Sequence, residues 1–211
     1  MKILAISDIH GIHDAAEKIN NTAEKYEVDL VIISGDITTF GPASYAENLL
    51  NKIKIQTLAI PGNCDPPEVN LAIKNSKALN LHKKKEIIND NVFVGLGGGA
   101  KNFVNVGIAF TEREIYCILN KLIEKESILV VHQPAYGQFD CVNGRHTGSQ
   151  ALQKIIDKYE PILVISGHIH EDYGFKSVNN TVFLNPGSLK DDKAALINFR
   201  KKKIDINILT L

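Results

Sequence analysis

Short runs of β-branched and other apolar residues recur along the chain, and polar stretches with helical spacing separate several of them. The runs fall at residues 3–6, 30–33, 57–60, 92–96, 106–110, 128–131, 162–165 and 181–184. Most are almost wholly apolar, the pattern of strands covered on both faces. Within residues 13–26, Ala15, Ala16, Ile19, Ala23 and Tyr26 share one face of a predicted helix. Residues 43–52 and 67–79 predict two more. Thr111-x-x-Glu114 is a capping box that opens a helix running to about residue 126. Residues 149–158 form another, stopped by Pro161. The C-terminal third changes character: residues 173–178, 181–184, 194–199 and 204–209 read as consecutive antiparallel strands, with Asn179-Asn180 at a hairpin turn. Alternation of strand and helix followed by a meander predicts an α/β fold with mixed strand directions.

Composition adds bounds. The 211 residues suit one domain spanning residues 1–211, and a 44% hydrophobic content can fill its core without disulfides. Lysine plus arginine and aspartate plus glutamate balance at 24 each, so no global field points to nucleic acid or a membrane surface. Three scattered cysteines leave at least one thiol free, which fits a reducing compartment. The opening MKILAISDIHG reads as a first core strand, not a signal peptide, and no stretch approaches the length of a membrane span. A cytoplasmic protein is expected. Lys83-Lys84-Lys85 and Lys201-Lys202-Lys203 read as solvated turns. Gly97-Gly98-Gly99 lacks the Lys-Ser/Thr of a P-loop and reads as a flexible turn.

The polar residues then fall in a telling order. Asp8 and His10 follow the first strand, Asp36 the second and Asn63 the third. His132 ends the strand at 128–131, and Gly167-His168-Ile169-His170 follows the strand at 162–165. The carboxyl edge of an open α/β sheet is where ligands bind, so two Asp, one Asn and four His converge on one crevice. Imidazole, carboxylate and amide donors suit divalent ions such as Mn, Fe, Zn, Ni or Mg. Seven ligands exceed what one ion with an open position takes. Two ions sharing a carboxylate, about 3.5–4 Å apart, could clamp the attacking and leaving oxygens of a phosphoryl displacement. With Asp8 and Asp36 ionised and a bridging hydroxide present, such a pair keeps roughly one net positive charge, which favours an anionic phosphoester.

These motifs, with Asn185-Pro186-Gly187-Ser188, resemble the calcineurin-like metallophosphoesterase family over most of the chain, in the form of its small archaeal and bacterial phosphodiesterases. The resemblance implies a four-layer αββα sandwich of two mixed sheets. It implies that Asp8, His10 and His170 bind one metal, that Asp36 bridges, and that Asn63, His132 and His168 bind the second. A metal-bridging hydroxide would attack phosphorus in line. Manganese is the expected ion, and a small phosphorylated molecule the expected substrate.

One position departs from the pattern. Many members carry Gly-Asn-His-Asp/Glu, whose His aids leaving-group departure; here Cys64 stands in its place. A thiol is a poor acid near neutral pH and a weak donor, so Cys64 reads as a small packing residue and Asp65 as a support behind the ligands. The Gly-rich segment 133–149 offers a substitute. Arg145 could take a phosphate oxygen, beside Asn63, and His146 could bind substrate and donate the proton. His13 is a weaker candidate, and His82 reads as a surface residue. Two rival functions remain: a protein-binding scaffold on the same fold, against which the complete ligand set argues, and a nuclease, for which no basic groove or stacking platform appears.

Overall fold

The strands alternate between two different apolar neighbourhoods, and that alternation builds the layers. A computed structural model describes residues 1–101, 107–200 and 203–211. The first half of the chain runs β1 (Lys2–Ile6), α1 (Ala15–Tyr26), β2 (Leu30–Ser34), α2 (Ala43–Lys52), β3 (Thr57–Ile60), α3 (Pro67–Asn75), β4 (Leu79–Asn80), β5 (Lys84–Ile88) and β6 (Asn91–Leu96). It continues through β7 (Gly99–Ala100), β8 (Ala109–Phe110), α4 (Glu112–Leu119), β9 (Ile128–Val131), β10 (Cys141–Val142), β11 (Arg145–His146) and α5 (Gln150–Tyr159). The last strands are β12 (Leu163–Ile165), β13 (Gly174–Val178), β14 (Thr181–Asn185), β15 (Lys193–Arg200) and β16 (Lys203–Thr210).

Two six-stranded mixed sheets result, ordered β16-β15-β1-β2-β3-β4 and β13-β14-β12-β9-β6-β5. Ile3, Ala5, Leu30, Ile32, Leu58 and Ile60 of the first sheet face Ile128, Val130, Leu163 and Ile165 of the second. Their sequence neighbours Leu4, Ile6, Val31 and Ile33 turn the other way, onto α1, α2 and α3. Leu129, Val131 and Val164 likewise turn outward onto α4 and α5. A period of two in a strand buried on both faces thus gives helix, sheet, sheet, helix. This is the αββα sandwich that the resemblance implies.

Differences from the sequence reading have local causes. Helix α3 ends at Asn75, four residues early, because Leu79 and Asn80 leave to pair with β3 as an edge strand. Helix α4 ends at Leu119, short of residue 126, where Lys121 and Leu122 switch to bonds three residues back. Lys84 and Lys85 sit not in a turn but in β5, an exposed edge strand antiparallel to β6; Lys201 and Lys202 lie outside the described residues. Residues 102–106 do too; of the described part of the predicted strand at 106–110, Ala109–Phe110 is strand and Gly107 and Ile108 are a bend. The glycine run is no flexible turn. A Cβ on Gly97 would lie 2.1 Å from the Pro61 carbonyl oxygen, so the run is pressed against the loop carrying Asn63. His82 is buried, not on the surface. Its Nδ1 accepts from the Gly97 N–H at 3.0 Å, and burial pushes its pKa down to about 4.

Candidate metal centre

The loops after β1 and β2 lie side by side, laced by Asp8 N–H to Gly35 C=O (3.1 Å), His10 N–H to Asp36 C=O (3.0 Å) and Gly11 N–H to Ile37 C=O (3.1 Å). This lacing needs an unusual backbone. Asp8, His10, Asp36 and His168 all have left-handed φ, between 49° and 72°. Asp and His tolerate that region better than most residues, yet each such residue costs of order 1–3 kcal/mol. Two glycines allow the close packing. A Cβ on Gly62 would lie 2.0 Å from Asp36 Oδ1, and one on Gly167 would lie 1.8 Å from Ser7 Oγ.

All seven predicted ligands meet here. Ligand atoms of Asp8, His10 and His170 lie within 4.8 Å of one another, as do those of Asp8, Asp36 and His132. Asn63 Oδ1 is 2.9 Å from His132 Nε2, and the His168 ring packs edge-on to His132 with centroids 5.2 Å apart. The histidines are oriented from behind. His132 Nδ1–H donates to the Ser34 carbonyl at 2.9 Å, and His10 Nδ1 lies 3.1 Å from Thr39 Oγ1. Both rings therefore turn Nε2 inward. His170 also points Nε2 inward, 3.3 Å from Asp8 Oδ1.

Cys64 joins this ring of groups more closely than a packing residue would. Its N–H donates to Asp36 Oδ1 at 2.7 Å, and its sulfur falls in a third cluster with His10 and Asp36. Burial, then the Asp36 charge, pushes the thiol up to about 12, so it stays protonated and offers no useful acid. Asp65 is buried behind the site, accepting from Ile37 N–H, Thr38 N–H, Thr38 Oγ–H and Gly62 N–H at 2.7–3.0 Å. It ties the Asp36 loop to the Asn63 loop.

The electrostatics describe a centre short of positive charge. Burial opposes ionisation of Asp8 and Asp36, but the surrounding histidines, with the Cys64 N–H at Asp36, outweigh it and hold both carboxyls below the usual range. Burial alone would lower His132, but Asp36 raises it to about 9. Burial holds His10 low and takes His168 down to about 4, while its bond to Asp8 raises His170. Asp8 Oδ1 is buried with no well-aligned hydrogen bond, its neighbours being His170 Nε2 at 3.3 Å and His10 Nε2 at 3.8 Å. A buried carboxylate oxygen set among imidazole nitrogens without a well-aligned donor is what a cation would neutralise. The donor set and this poorly satisfied oxygen fit divalent metal ions.

Several supporting residues escaped the sequence reading. Asn185 donates to the Ile169 and Asp172 carbonyls at 2.8 and 3.0 Å, and Ser188 Oγ–H donates to the Asp8 carbonyl at 2.8 Å. Their Asn-Pro-Gly-Ser motif was visible, but not its buttressing role. Arg145 and His146 are both exposed on a two-stranded hairpin. Among the described residues, no hydrogen bond or ion pair joins either to the seven ligands.

A two-sheet sandwich with a histidine- and aspartate-rich crevice on its carboxyl edge defines a metallohydrolase-type centre. The chain belongs to the calcineurin-like phosphoesterase family, whose model matches residues 1–172. An uncharacterized protein of Methanocaldococcus jannaschii is 34% identical over 200 residues, 88% of each chain. Among solved structures, the Thermus thermophilus protein TT1561 superposes with a TM-score of 0.77 at 18% identity, covering 98% of this chain and 97% of that one. A protein described as a novel archaeal phosphodiesterase gives 0.61 at 17% identity, covering 99% and 100%.

Proposed function

We propose that this protein is a phosphodiesterase that works with two divalent cations, manganese by preference, on a small phosphorylated substrate. The observation that carries the reading is the meeting in one crevice of Asp8, His10, Asp36, His132 and His170, with Asn63 and His168 against His132. Asp8, His10 and His170 would hold one ion and Asn63, His132 and His168 the other, with Asp36 between them. When bound, two such cations polarise the phosphoryl oxygens and make a water nucleophilic at neutral pH.

The chain's own residues do the rest. Asp8 and Asp36 enter ionised, so no proton has to leave a carboxyl before a cation binds. Ser34 and Thr39 fix the rings of His132 and His10 so that their inward nitrogens are preset. Two carboxylates against two divalent ions leave the crevice positive, which draws an anionic ester to a chain with no net charge. Family membership supports phosphoester hydrolysis; the choice of a diester and of manganese rests on this reading. Three free thiols fit a cytoplasmic location.

The test is hydrolysis of bis(p-nitrophenyl) phosphate with added Mn, against Asp36→Asn. We expect the variant to lose about 10²-fold or more, the scale of removing one preorganised electrostatic group. Equal rates for the two proteins would overturn the proposal and favour a binding scaffold.

A further inference from the structure

Cys64 leaves the reaction without a proton donor, and the hairpin of β10 and β11 carries a group built to supply one. His146 Nδ1 lies 2.7 Å from Asp140 Oδ1. Asp140 is wholly buried, and its other oxygen accepts from Gly137 N–H and Gly148 N–H at 3.0 and 2.9 Å. The imidazole itself is half exposed, 49% of its side chain meeting solvent, with Tyr136 packed at 5.3 Å between ring centroids. A buried carboxylate thus fixes one nitrogen and leaves the other facing outward.

The hairpin is fastened to the metal-ligand loops on two sides. Gln133, next to His132, donates from Nε2 to the Thr147 carbonyl at 3.1 Å. Asp172, two residues past His170, accepts the Cys141 N–H at 2.9 Å, and Cys141 is the register partner of His146. The hairpin that carries His146 is thus tied to both ligand loops of the second sheet, while His146 itself lies outside the ligand set.

We infer that His146, oriented by Asp140, protonates the leaving group of the phosphodiester. The inference rests on the phosphodiesterase reading above. As a water oxygen bonds to phosphorus, the bond to the leaving oxygen breaks and its electron pair stays on that oxygen. The oxygen takes the proton from His146 Nε2. The ring is left neutral with its Nδ1–H on Asp140, and it regains a proton from solvent while the attacking water gives one up. Asp140 is a positioning residue, since it acts only through the imidazole.

A leaving-group series on the Mn-loaded protein tests this. A p-nitrophenyl ester departs without a proton, whereas an alkyl ester of the same acid needs one. For His146→Asn we expect about a 10²-fold loss with the alkyl ester, within the usual range for general acids, and under about 3-fold with the p-nitrophenyl ester. Asp140→Asn should show the same selectivity, with metal content and melting temperature near wild type. Equal losses on both esters, or none, would overturn the inference. A wild type that cleaves neither ester with metal bound would overturn the phosphodiesterase proposal, and this inference with it.

Discussion

At the scale of single residues, the site depends on positions where little else fits. Gly62 is the sharpest. Its missing Cβ gives Asp36 its space, so Gly62→Ala should abolish tight metal binding while far-UV circular dichroism stays native. A variant that titrates with Mn as the wild type does would refute this. His82 makes a prediction in pH. Its pKa is about 4 in the fold, against an ordinary value of 6.5. The unfolded chain therefore takes up that proton first as pH falls. The folded state keeps this contribution in full above about pH 6.5 and loses it progressively down to about pH 4, by roughly 3 kcal/mol. His82→Asn keeps an acceptor near the Gly97 N–H without the basic nitrogen. Denaturant melts across that window should show a shallower acid limb for the variant, and an unchanged limb would show that another group sets it.

At the scale of elements, the Asn185–Ser188 turn after β14 holds two ligand loops at once. Asn185→Ala removes bonds to Ile169, Asp172 and Gly187 in a buried setting. Urea melts should give a loss of about 2–3 kcal/mol, since buried partners are left unpaired. Competition with a chelating dye should show weaker metal binding as well; unaltered affinity would separate the turn from the site. Which elements could be read from sequence follows from the same physics. β1, β2, β3, β9 and β12 are buried on both faces, so each writes an unbroken apolar run ending in a polar ligand. That is why the seven candidate donors stand out by position in the sequence. β5 is an exposed edge strand that reads Lys-Lys-Glu-Ile-Ile, and charge disguised it. β10 and β11 are two residues each, too short for any period. Asp140 was invisible because its partners, Gly137, His146 and Gly148, sit in a loop with no period to read, and the burial of His82 because Gly97 and Phe110 close over it from further along the chain.

At the scale of the whole molecule, the ligands divide between the sheets. Asp8, His10, Asp36 and Asn63 follow strands of the first sheet; His132, His168 and His170 follow strands of the second. Bound cations would therefore cross-link the two halves of the sandwich. Calorimetry should show a higher melting temperature with Mn and its reversal by EDTA, worth about 2.7 kcal/mol at a hundredfold excess over Kd. Asp36→Asn should be nearly blind to both additions. A wild type whose melting ignores Mn would break the link between site and sandwich. Among the described residues no helix is long and apolar enough to cross a membrane.

The left-handed backbone at Asp8, His10, Asp36 and His168 has an evolutionary reading. A fold under selection for sturdiness alone would place glycine or asparagine at such points and would not crowd two carboxylates together. The crevice is the part of this molecule that mutation can most easily make more comfortable, and each such relief would erase a ligand. A descendant freed from hydrolysis should shed these residues early and melt higher for it. An intact set of seven in one chain thus argues for use, in a way that an intact core, kept by packing alone, does not.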